Sequence, residues 1–421
     1  MKTPEPINTA RKPKKPNPLL MPIQWAGALW YMLTSGGGRI TKHDCRGLKP
    51  PYLLLSNHAS MVDFAMAARA TFPHPANWVI SIEEFVGRDW LMRSIGGIYK
   101  RKFTSDIHVV KHILSILKRR KGICIMYPEA RFSLAGVNER LSDAIGKLVK
   151  IAGCPVVVMI QHGNYICSPQ WGKHPYRWNR VCADLTQIVT AREAKTLTPQ
   201  EIQSRIEEAF VYDDYRWQAE QHIRTCCKKR ARNLHRVLYQ CPACEAEFAM
   251  DSRDSQIWCG RCGARWEMDV YGRLHRLDGE DRFTHVPDWY RWQRENVRAQ
   301  VRQGLYRFED SVRVEQLVNG KVGFRYVGDM KLTQDENGFT LAGKDAKGQD
   351  FFLNRPVSTM ASCHIEYDFK KKGITRPGPA LDLATQTQTY FVFPLTRGAE
   401  LTKLHFAAEE LFDYHRELGR K

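Results

Sequence analysis

Short apolar runs alternate with stretches of helical pattern between about residues 40 and 195, and this alternation constrains the fold of nearly half the chain. The predicted strands cover residues 52–56, 78–82, 97–102, 123–127 and 155–161. The clearest helix covers residues 107–118 and has Asp106 as its N-cap. The pattern predicts an α/β domain with a mainly parallel or mixed sheet, in which the loops beyond the strand ends are the expected place for chemistry.

The loop after the first of these strands carries a histidine and an aspartate with four residues between them, His58 and Asp63. If a helix opens near Ser60, Asp63 lies in its first turn and can accept a hydrogen bond from one ring nitrogen of His58. The other nitrogen could then take a proton from an alcohol. No serine-nucleophile elbow is present, so direct attack by the alcohol is favoured over an acyl-enzyme on Ser60 or Cys124.

Three further motifs follow the segment NHASMVD at residues 57–63: GIYKR at 97–101, YPEARFS at 127–133 and CPVVV at 154–158. In this order they resemble the four blocks of the glycerolipid acyltransferase family, which includes bacterial lysophosphatidate acyltransferases. The resemblance covers roughly residues 20–215 and implies that His58 and Asp63 are catalytic. It also implies that the acceptor is bound by Arg101 with Lys100 beside it, and by Glu129 and Arg131.

The third block departs from the family pattern, in which a glycine follows the glutamate and the arginine comes one position later. Here Ala130 replaces the glycine and Arg131 precedes Phe132. Only Glu129 matches directly, whereas Arg131 is the nearest cation. This departure affects the prediction of the acceptor more than the prediction of the reaction. The acceptor can therefore have an unusual head group or be a non-glycerolipid alcohol.

Four cysteines form two C-x-x-C pairs separated by 14 residues, Cys241, Cys244, Cys259 and Cys262. Four thiolates at this spacing meet the requirement of a closed tetrahedral zinc site, with iron or metal-free thiols as the alternatives. The segment resembles a zinc ribbon, which we place at residues 236–270. A closed site argues for structural zinc or a docking surface. The basic run at residues 228–232 keeps nucleic-acid binding open, although we do not expect it.

The formal net charge of +19 favours an anionic partner, which can be nucleic acid, an anionic membrane leaflet or an acidic carrier protein. The cysteine pattern suits a reducing compartment, and no secretory signal is visible. An apolar stretch at residues 19–33 is too short to span a bilayer. It can be an interfacial helix or a core helix. We therefore expect a cytoplasmic protein that is peripherally associated with the inner face of the membrane.

Beyond Asp288 an amphipathic helix carries Trp289 and Trp292, for which we predict packing, and arginines, for which we predict solvent or membrane exposure. Strand patterns follow at residues 312–317, 321–327, 338–341, 350–353, 364–369 and 388–393, and a last helix at about 399–418. This order resembles pleckstrin-homology-type barrels in topology. It predicts a small β-rich, barrel-like domain closed by a C-terminal helix.

The predicted architecture is an α/β acyltransferase domain with a mixed sheet, a four-cysteine zinc ribbon and the β-rich domain. We place a basic flexible tail at residues 1–18, the acyltransferase domain with a helical connector at 19–235, and the β-rich domain at 280–421. The predicted reaction moves a fatty acyl group from acyl-CoA or acyl carrier protein to a lysophospholipid hydroxyl, with 1-acyl-glycerol-3-phosphate as the preferred acceptor. The alternative is a zinc-containing lipid- or nucleic-acid-binding scaffold on a degenerate acyltransferase core.

Overall fold

The computed structural model describes residues 7–34, 37–60, 62–172 and 179–419. The helices are α1 (Met21–Thr34), α2 (Asp63–Ala70), α3 (Asp89–Ser94), α4 (Ile107–Leu114), α5 (Ile145–Ala152), α6 (Asn164–Cys167), α7 (Glu193–Thr196), α8 (Pro199–Ala209), α9 (Asp214–Glu220), α10 (Val286–Arg302) and α11 (Leu401–Leu418). Asp106 caps α4 as predicted, because its side chain accepts the backbone N–H groups of His108 and Val109.

The strands form three sheets. They are β1 (Arg39–His43), β2 (Tyr52–Ser56), β3 (Ala76–Ser81), β4 (Gly97–Lys100), β5 (Ile123–Met126), β6 (Val156–His162), β7 (Cys182–Val189), β8 (Met250–Arg253), β9 (Gln256–Cys259), β10 (Arg265–Met268), β11 (Leu274–Arg276), β12 (Phe308–Asn319), β13 (Gly323–Asp335), β14 (Gly338–Lys344), β15 (Asp350–Pro356), β16 (His364–Phe369), β17 (Gly378–Ala384) and β18 (Thr389–Pro394).

The first sheet has the order β1-β7-β6-β2-β5-β3-β4 and is mixed, since β6 and β7 are antiparallel while the other neighbours run parallel. The predicted mixed α/β sheet is therefore confirmed. Strands β2 and β5 are parallel neighbours, so their carboxyl ends meet at one edge of the sheet. This brings the loop that contains His58 next to the segment that follows Met126.

Residues 7–18 differ from the predicted flexible tail, because their backbone carbonyls accept hydrogen bonds from side chains of the α/β domain. Lys14 O accepts from Asn77 Nδ2 at 2.9 Å, and Pro13 O accepts from Arg120 Nη2 at 2.8 Å. Prolines restrict the backbone of this segment, and its basic side chains had suggested a solvated tail. The first six residues of the predicted tail lie outside the described residues.

The second sheet, β8 to β11, is a four-stranded antiparallel meander that extends to Arg276, beyond the predicted end of the ribbon at residue 270. It packs on α10 through Trp266 and Trp289, whose ring centroids are 5.0 Å apart. The indole of Trp289 is buried and donates to Gln240 O at 2.8 Å. Residues of this meander, α10 and the third sheet share one hydrophobic cluster, so the two predicted C-terminal domains have a common core.

The third sheet has the order β15-β14-β13-β12-β18-β17-β16 and is antiparallel throughout. The predicted barrel-like closure is wrong: within the described part of the chain, the edge strands β15 and β16 do not pair with each other. Helix α11 lies against the sheet, and every residue from Leu401 to Leu411 except Lys403 is buried, so this part of the helix is enclosed on all sides. Strand β17 was missed in the sequence, where Pro379 interrupts a short pattern.

Three arginines of α10, Arg291, Arg298 and Arg302, are exposed as predicted, whereas Arg294 is partly buried in ion pairs with α11. Arg294 contacts Glu409 at 2.8 Å and Glu410 at 2.6 Å, and Arg298 contacts Glu410 at 2.7 Å. Arg302 pairs with Glu417 farther along the same two helices. The ion pairs thus hold the two helices of the C-terminal region together.

None of the helices in the described ranges combines the length and the apolar character needed to cross a membrane.

Candidate active site

Asp63 is fixed at the first turn of α2, where backbone N–H groups lack partners within the helix. Its Oδ2 accepts hydrogen bonds from the backbone N–H groups of Ala59 at 2.6 Å and Ser60 at 2.9 Å. The same oxygen lies 2.9 Å from His58 Nδ1. The carboxylate is fully buried, so protein groups and not water hold it in position. The short loop between β2 and α2 therefore brings the histidine and the aspartate into direct contact.

The imidazole of His58 is held between two aromatic rings. Tyr127 stacks on it with ring centroids 4.1 Å apart, and Phe132 lies 4.3 Å away on a tilted plane. The contact with Asp63 keeps the proton on Nδ1, which leaves the lone pair on Nε2. Nε2 has no hydrogen-bond partner among residues of the described ranges, and His58 lines a cavity of about 1610 Å³. The geometry is that of a histidine base oriented by a buried carboxylate.

Asn164 completes the surroundings of Asp63 and was not recognised in the sequence. Its Nδ2 donates to Asp63 Oδ1 at 2.8 Å and to Gln161 Oε1 at 2.8 Å. Gly163 precedes it with φ of 80°, and a Cβ there would lie 2.1 Å from Arg180 O, so the turn requires glycine. The sequence signal that could have identified this partner is Gly163-Asn164, which directly follows β6, a strand that pairs with β2.

Glu129 is buried and bound by protein groups, and it lines the same cavity as His58, so its predicted role in binding the acceptor stays a prediction. Its Oε2 accepts from the His58 backbone N–H at 3.0 Å, and its Oε1 accepts from the Glu139 N–H at 2.8 Å and from the Tyr212 hydroxyl at 3.1 Å. Burial raises the pKa of Glu129 to about 8, and the neighbouring Glu139 adds to this. Because both oxygens are engaged, Glu129 acts on the site by positioning the His58 loop.

Arg131 is also buried, and its charge is already compensated, which differs from its predicted role at the acceptor phosphate. The guanidinium pairs with Glu139 and, at 2.9 Å, with Glu409 of α11, and it contacts His405 and Ser362. Burial lowers the pKa of Arg131, but Glu139 and Glu409 outweigh burial and hold it above its ordinary value. Arg131 therefore connects the acyltransferase domain to the C-terminal region.

The two basic residues of the second block lie in different surroundings. Lys100 lines the cavity that contains His58, and its amine donates to the backbone carbonyl of Thr104. Burial lowers the pKa of Lys100 to about 8. Arg101 is not among the residues that line this cavity, and its Nη1 donates to Gln386 O at 3.3 Å. Of the two, only Lys100 lines the cavity that His58 also lines.

The four cysteines of the predicted ribbon converge in the structure. Cys241 Sγ lies 3.7 Å from Cys262 Sγ, Cys244 Sγ lies 3.8 Å from Cys259 Sγ, and all four sulfurs lie within 4.8 Å of one another. A tetrahedral ion with metal–sulfur bonds of about 2.3 Å has sulfurs roughly 3.8 Å apart. The group can therefore hold a metal ion with four thiolate ligands.

Comparisons with known proteins bear on the first sheet. A family model described as Acyltransferase matches residues 39–161. The crystal structure of the 1-acyl-sn-glycerophosphate (LPA) acyltransferase, PlsC, from Thermotoga maritima is similar with a TM-score of 0.37 and 15% identity, and the match covers 45% of this chain and 75% of that chain. No curated protein sequence matches this chain significantly. The matched segment, residues 39–161, contains His58 and Asp63 and is similar to acyltransferase domains.

Proposed function

We propose that this protein is an O-acyltransferase that moves a fatty acyl group from acyl-CoA or acyl carrier protein to the free hydroxyl of a lysophospholipid, with 1-acyl-glycerol-3-phosphate as the preferred acceptor. The observation that carries the proposal is the contact of 2.9 Å between His58 Nδ1 and the buried carboxylate of Asp63 beside a large cavity. The proposed place of the reaction is phospholipid synthesis.

The proposed mechanism uses His58 first as a base and then as an acid. Nε2 takes the proton of the acceptor hydroxyl as its oxygen attacks the carbonyl carbon of the thioester. Asp63 stabilises the imidazolium that forms. When the tetrahedral intermediate collapses, the carbon–sulfur bond breaks and the departing sulfur takes the proton from His58. The products are the ester and the free thiol, and the histidine returns to its starting state.

The apolar wall of the cavity supports a lipid substrate. It includes Phe64, Trp78, Ile80, Met92, Ile95 and Ile113. A volume of about 1610 Å³ exceeds the usual size of small-molecule pockets, about 300–1,000 Å³, so it accommodates a long acyl chain in addition to a head group. The alternative interpretation of the sequence is a binding scaffold on a degenerate core. Binding alone does not require a histidine that a carboxylate orients beside such a cavity.

Peripheral binding to the inner face of the membrane is part of the proposal. Helix α1 exposes Ile23, Trp30 and Leu33 along one side, with exposed fractions of 68%, 71% and 63%. Exposed apolar and aromatic side chains on one side of a helix favour the interface of a bilayer. The net charge of +19 favours anionic lipid and an acidic carrier. Nucleic acid is not among the partners that we propose.

We propose that the four-cysteine group binds zinc in a structural role. Four protein thiolates fill the coordination sphere, so no position stays open for a substrate or water. Catalysis therefore falls to His58 and Asp63, and the metal would hold together the loops on which β8 to β11 and α10 pack.

The test compares the wild-type chain with His58→Ala in a thioester assay. Purified protein receives acyl-CoA or acyl carrier protein and a panel of lysophospholipids, while thiol release and the mass of the lipid product are measured. We expect His58→Ala to lose transfer and to melt at nearly the same temperature as the wild type. The matched control is His162→Ala, which removes another half-buried histidine that contacts Asp184 and Trp217.

Retained transfer in His58→Ala would refute the assignment of the base. Wild-type protein that releases no thiol with any acceptor, yet binds lipid, would support the scaffold instead.

A further inference from the structure

The cations that line the cavity divide into two groups according to their partners. Lys102 pairs with Glu83 at 2.6 Å, Arg140 pairs with Asp413 at 2.5 Å, and Arg131 and Arg88 also have carboxylate partners. Lys100 and Arg355 have none within 4 Å among the residues that the structure describes. These two are therefore the cavity cations whose charge an anionic ligand can compensate.

Lys100 and Arg355 meet at one short loop, although they lie far apart in the sequence. Arg355 comes from the end of β15, the edge strand of the C-terminal sheet, and its Nη2 donates to Phe103 O at 3.4 Å. Lys100 donates to the next carbonyl, that of Thr104. All four residues line the cavity that contains His58. The two cationic groups are thus held at consecutive backbone carbonyls of the loop that follows β4.

Neither cation has a carboxylate in direct contact. The charge of Asp106, which also lines the cavity, acts on Lys100 from a distance, but burial outweighs it. Arg355 is 8% exposed, and burial lowers its pKa, as burial lowers that of Lys100. The carboxylate whose charge raises the pKa of Arg355 is that of Asp382, but the two side chains do not form an ion pair. Burial and the neighbouring Glu83 raise the pKa of Asp382, which weakens it as a counter-ion for Arg355. A buried cation without an anion is costly, and an incoming anion removes that cost.

We propose that Arg355, contributed by the C-terminal sheet, binds the phosphate group of the acceptor together with Lys100. Arginine suits this role because its planar guanidinium can donate two parallel hydrogen bonds to phosphate oxygens. The C-terminal sheet is then a part of the substrate site, and it supplies the charge that Arg131 cannot offer because Glu139 and Glu409 engage it. This inference rests on the proposed acyl transfer, whose acceptor carries the phosphate.

Binding is measured by calorimetry in the full-length His58→Ala chain, so that the readout does not depend on turnover. The ligands are 1-oleoyl-glycerol-3-phosphate, 1-oleoyl-glycerol and coenzyme A, the first two below their critical micelle concentrations. Arg355→Gln removes the charge and keeps an amide donor, and Arg355→Lys keeps the charge. The matched control is Arg325→Ala, an exposed arginine of β13 in the same sheet.

We expect Arg355→Gln to weaken binding of the phosphate-bearing lipid by about 10- to 100-fold, the value of a charge-assisted hydrogen bond or two. Affinity for 1-oleoyl-glycerol and coenzyme A should stay the same, Arg355→Lys should retain most of the affinity, and Arg325→Ala should have no effect. Melting curves check that each variant folds. If Arg355→Gln does not fold, Lys100→Met, which removes the other cation of the site, carries the comparison, and the same selective loss for the phosphate-bearing lipid is expected.

Equal loss for both lipids, loss for coenzyme A alone, or no binding of either lipid by the parent chain would overturn the phosphate site. The outcome is separable from that of the proposed function. If wild-type protein transfers acyl groups and Arg355→Gln keeps its acceptor KM, the phosphate site fails and the enzyme stands. If no thiol is released but the difference between the two lipids depends on Arg355, the anion site stands and the proposed reaction fails.

Discussion

Replacing Asp63 by asparagine isolates the contribution of the carboxylate charge, because the side chain keeps its shape. The carboxylate accepts four hydrogen bonds: His58 Nδ1 at 2.9 Å, Ala59 N at 2.6 Å and Ser60 N at 2.9 Å converge on Oδ2, and Asn164 Nδ2 at 2.8 Å reaches Oδ1. The single acceptor oxygen of asparagine would occupy the Oδ2 position. Its NH₂ group then faces the NH₂ group of Asn164.

The two facing NH₂ groups cannot hydrogen-bond to each other, and this sets the expected loss of stability. A buried donor left without an acceptor costs about 1–3 kcal/mol, so we expect the free energy of unfolding to fall by about that amount. The effect on catalysis is larger, since a neutral amide cannot stabilise the imidazolium that forms on His58. We expect kcat to fall by about 10²–10⁴-fold, which corresponds to about 3–5 kcal/mol of activation free energy.

The assay is thiol release from acyl-CoA at saturating lysophosphatidate, with a denaturant melt on the same sample. Asp214→Asn is the matched control, because Asp214 is equally buried and accepts backbone N–H groups, from Gly163 and Tyr165. It should lose stability while kcat stays near the wild-type value. A folded Asp63→Asn chain with wild-type kcat would refute the mechanism in which the carboxylate stabilises the base.

Glu129→Gln keeps an oxygen that can accept the backbone N–H of His58, so kcat should fall less in this variant than in Glu129→Ala. The KM for the acceptor should not change in either variant, and steady-state kinetics measure both constants. Arg131→Met leaves Glu139 buried without a cation and leaves Glu409 with Arg294 alone, and denaturant melts should show a loss of about 3–5 kcal/mol in the free energy of unfolding. Burial lowers the pKa of Lys100 to about 8, so the amine loses its charge as pH rises through this value. The kcat/KM for a phosphate-bearing acceptor should therefore fall from about pH 7 to 9, whereas Lys100→Met should show no such fall. A strong chelator should remove the proposed zinc and lower the melting temperature, and Cys262→Ser should bind less metal by elemental mass spectrometry.

Much of the first sheet was predictable because its central strands are continuous apolar runs. Strands β2, β3, β5 and β6 were predicted within a residue or two, since burial on both faces requires apolar side chains at nearly every position. Strand β1 was not, because it lies at an edge and its sequence, Arg39–His43, is largely polar. The open third sheet was mistaken for a barrel because closure depends on which edge strands pair, and a strand pattern does not encode its partner.

The candidate site divides in a similar way. His58 and Asp63 are five positions apart, and a strand end followed by a helix start suffices to bring them together. Asn164 and Arg355 come from distant segments and carry no local signal of their role. Arg131 shows the opposite case, in which a cation within a recognised motif is engaged by a carboxylate from the last helix.

By itself, the sequence determined the features that depend on neighbours along the chain: the histidine–aspartate pair, the central strands and the convergence of two C-x-x-C turns. Only the tertiary structure decided which basic residues retain an uncompensated charge at the cavity. The electrostatic state of a buried cation depends on carboxylates within a few ångströms, and the tertiary fold can bring these from distant segments, as it brings Glu409 to Arg131 across 278 positions. Thus Arg131 is neutralised by Glu409, while Arg355 and Lys100 remain available to an anion.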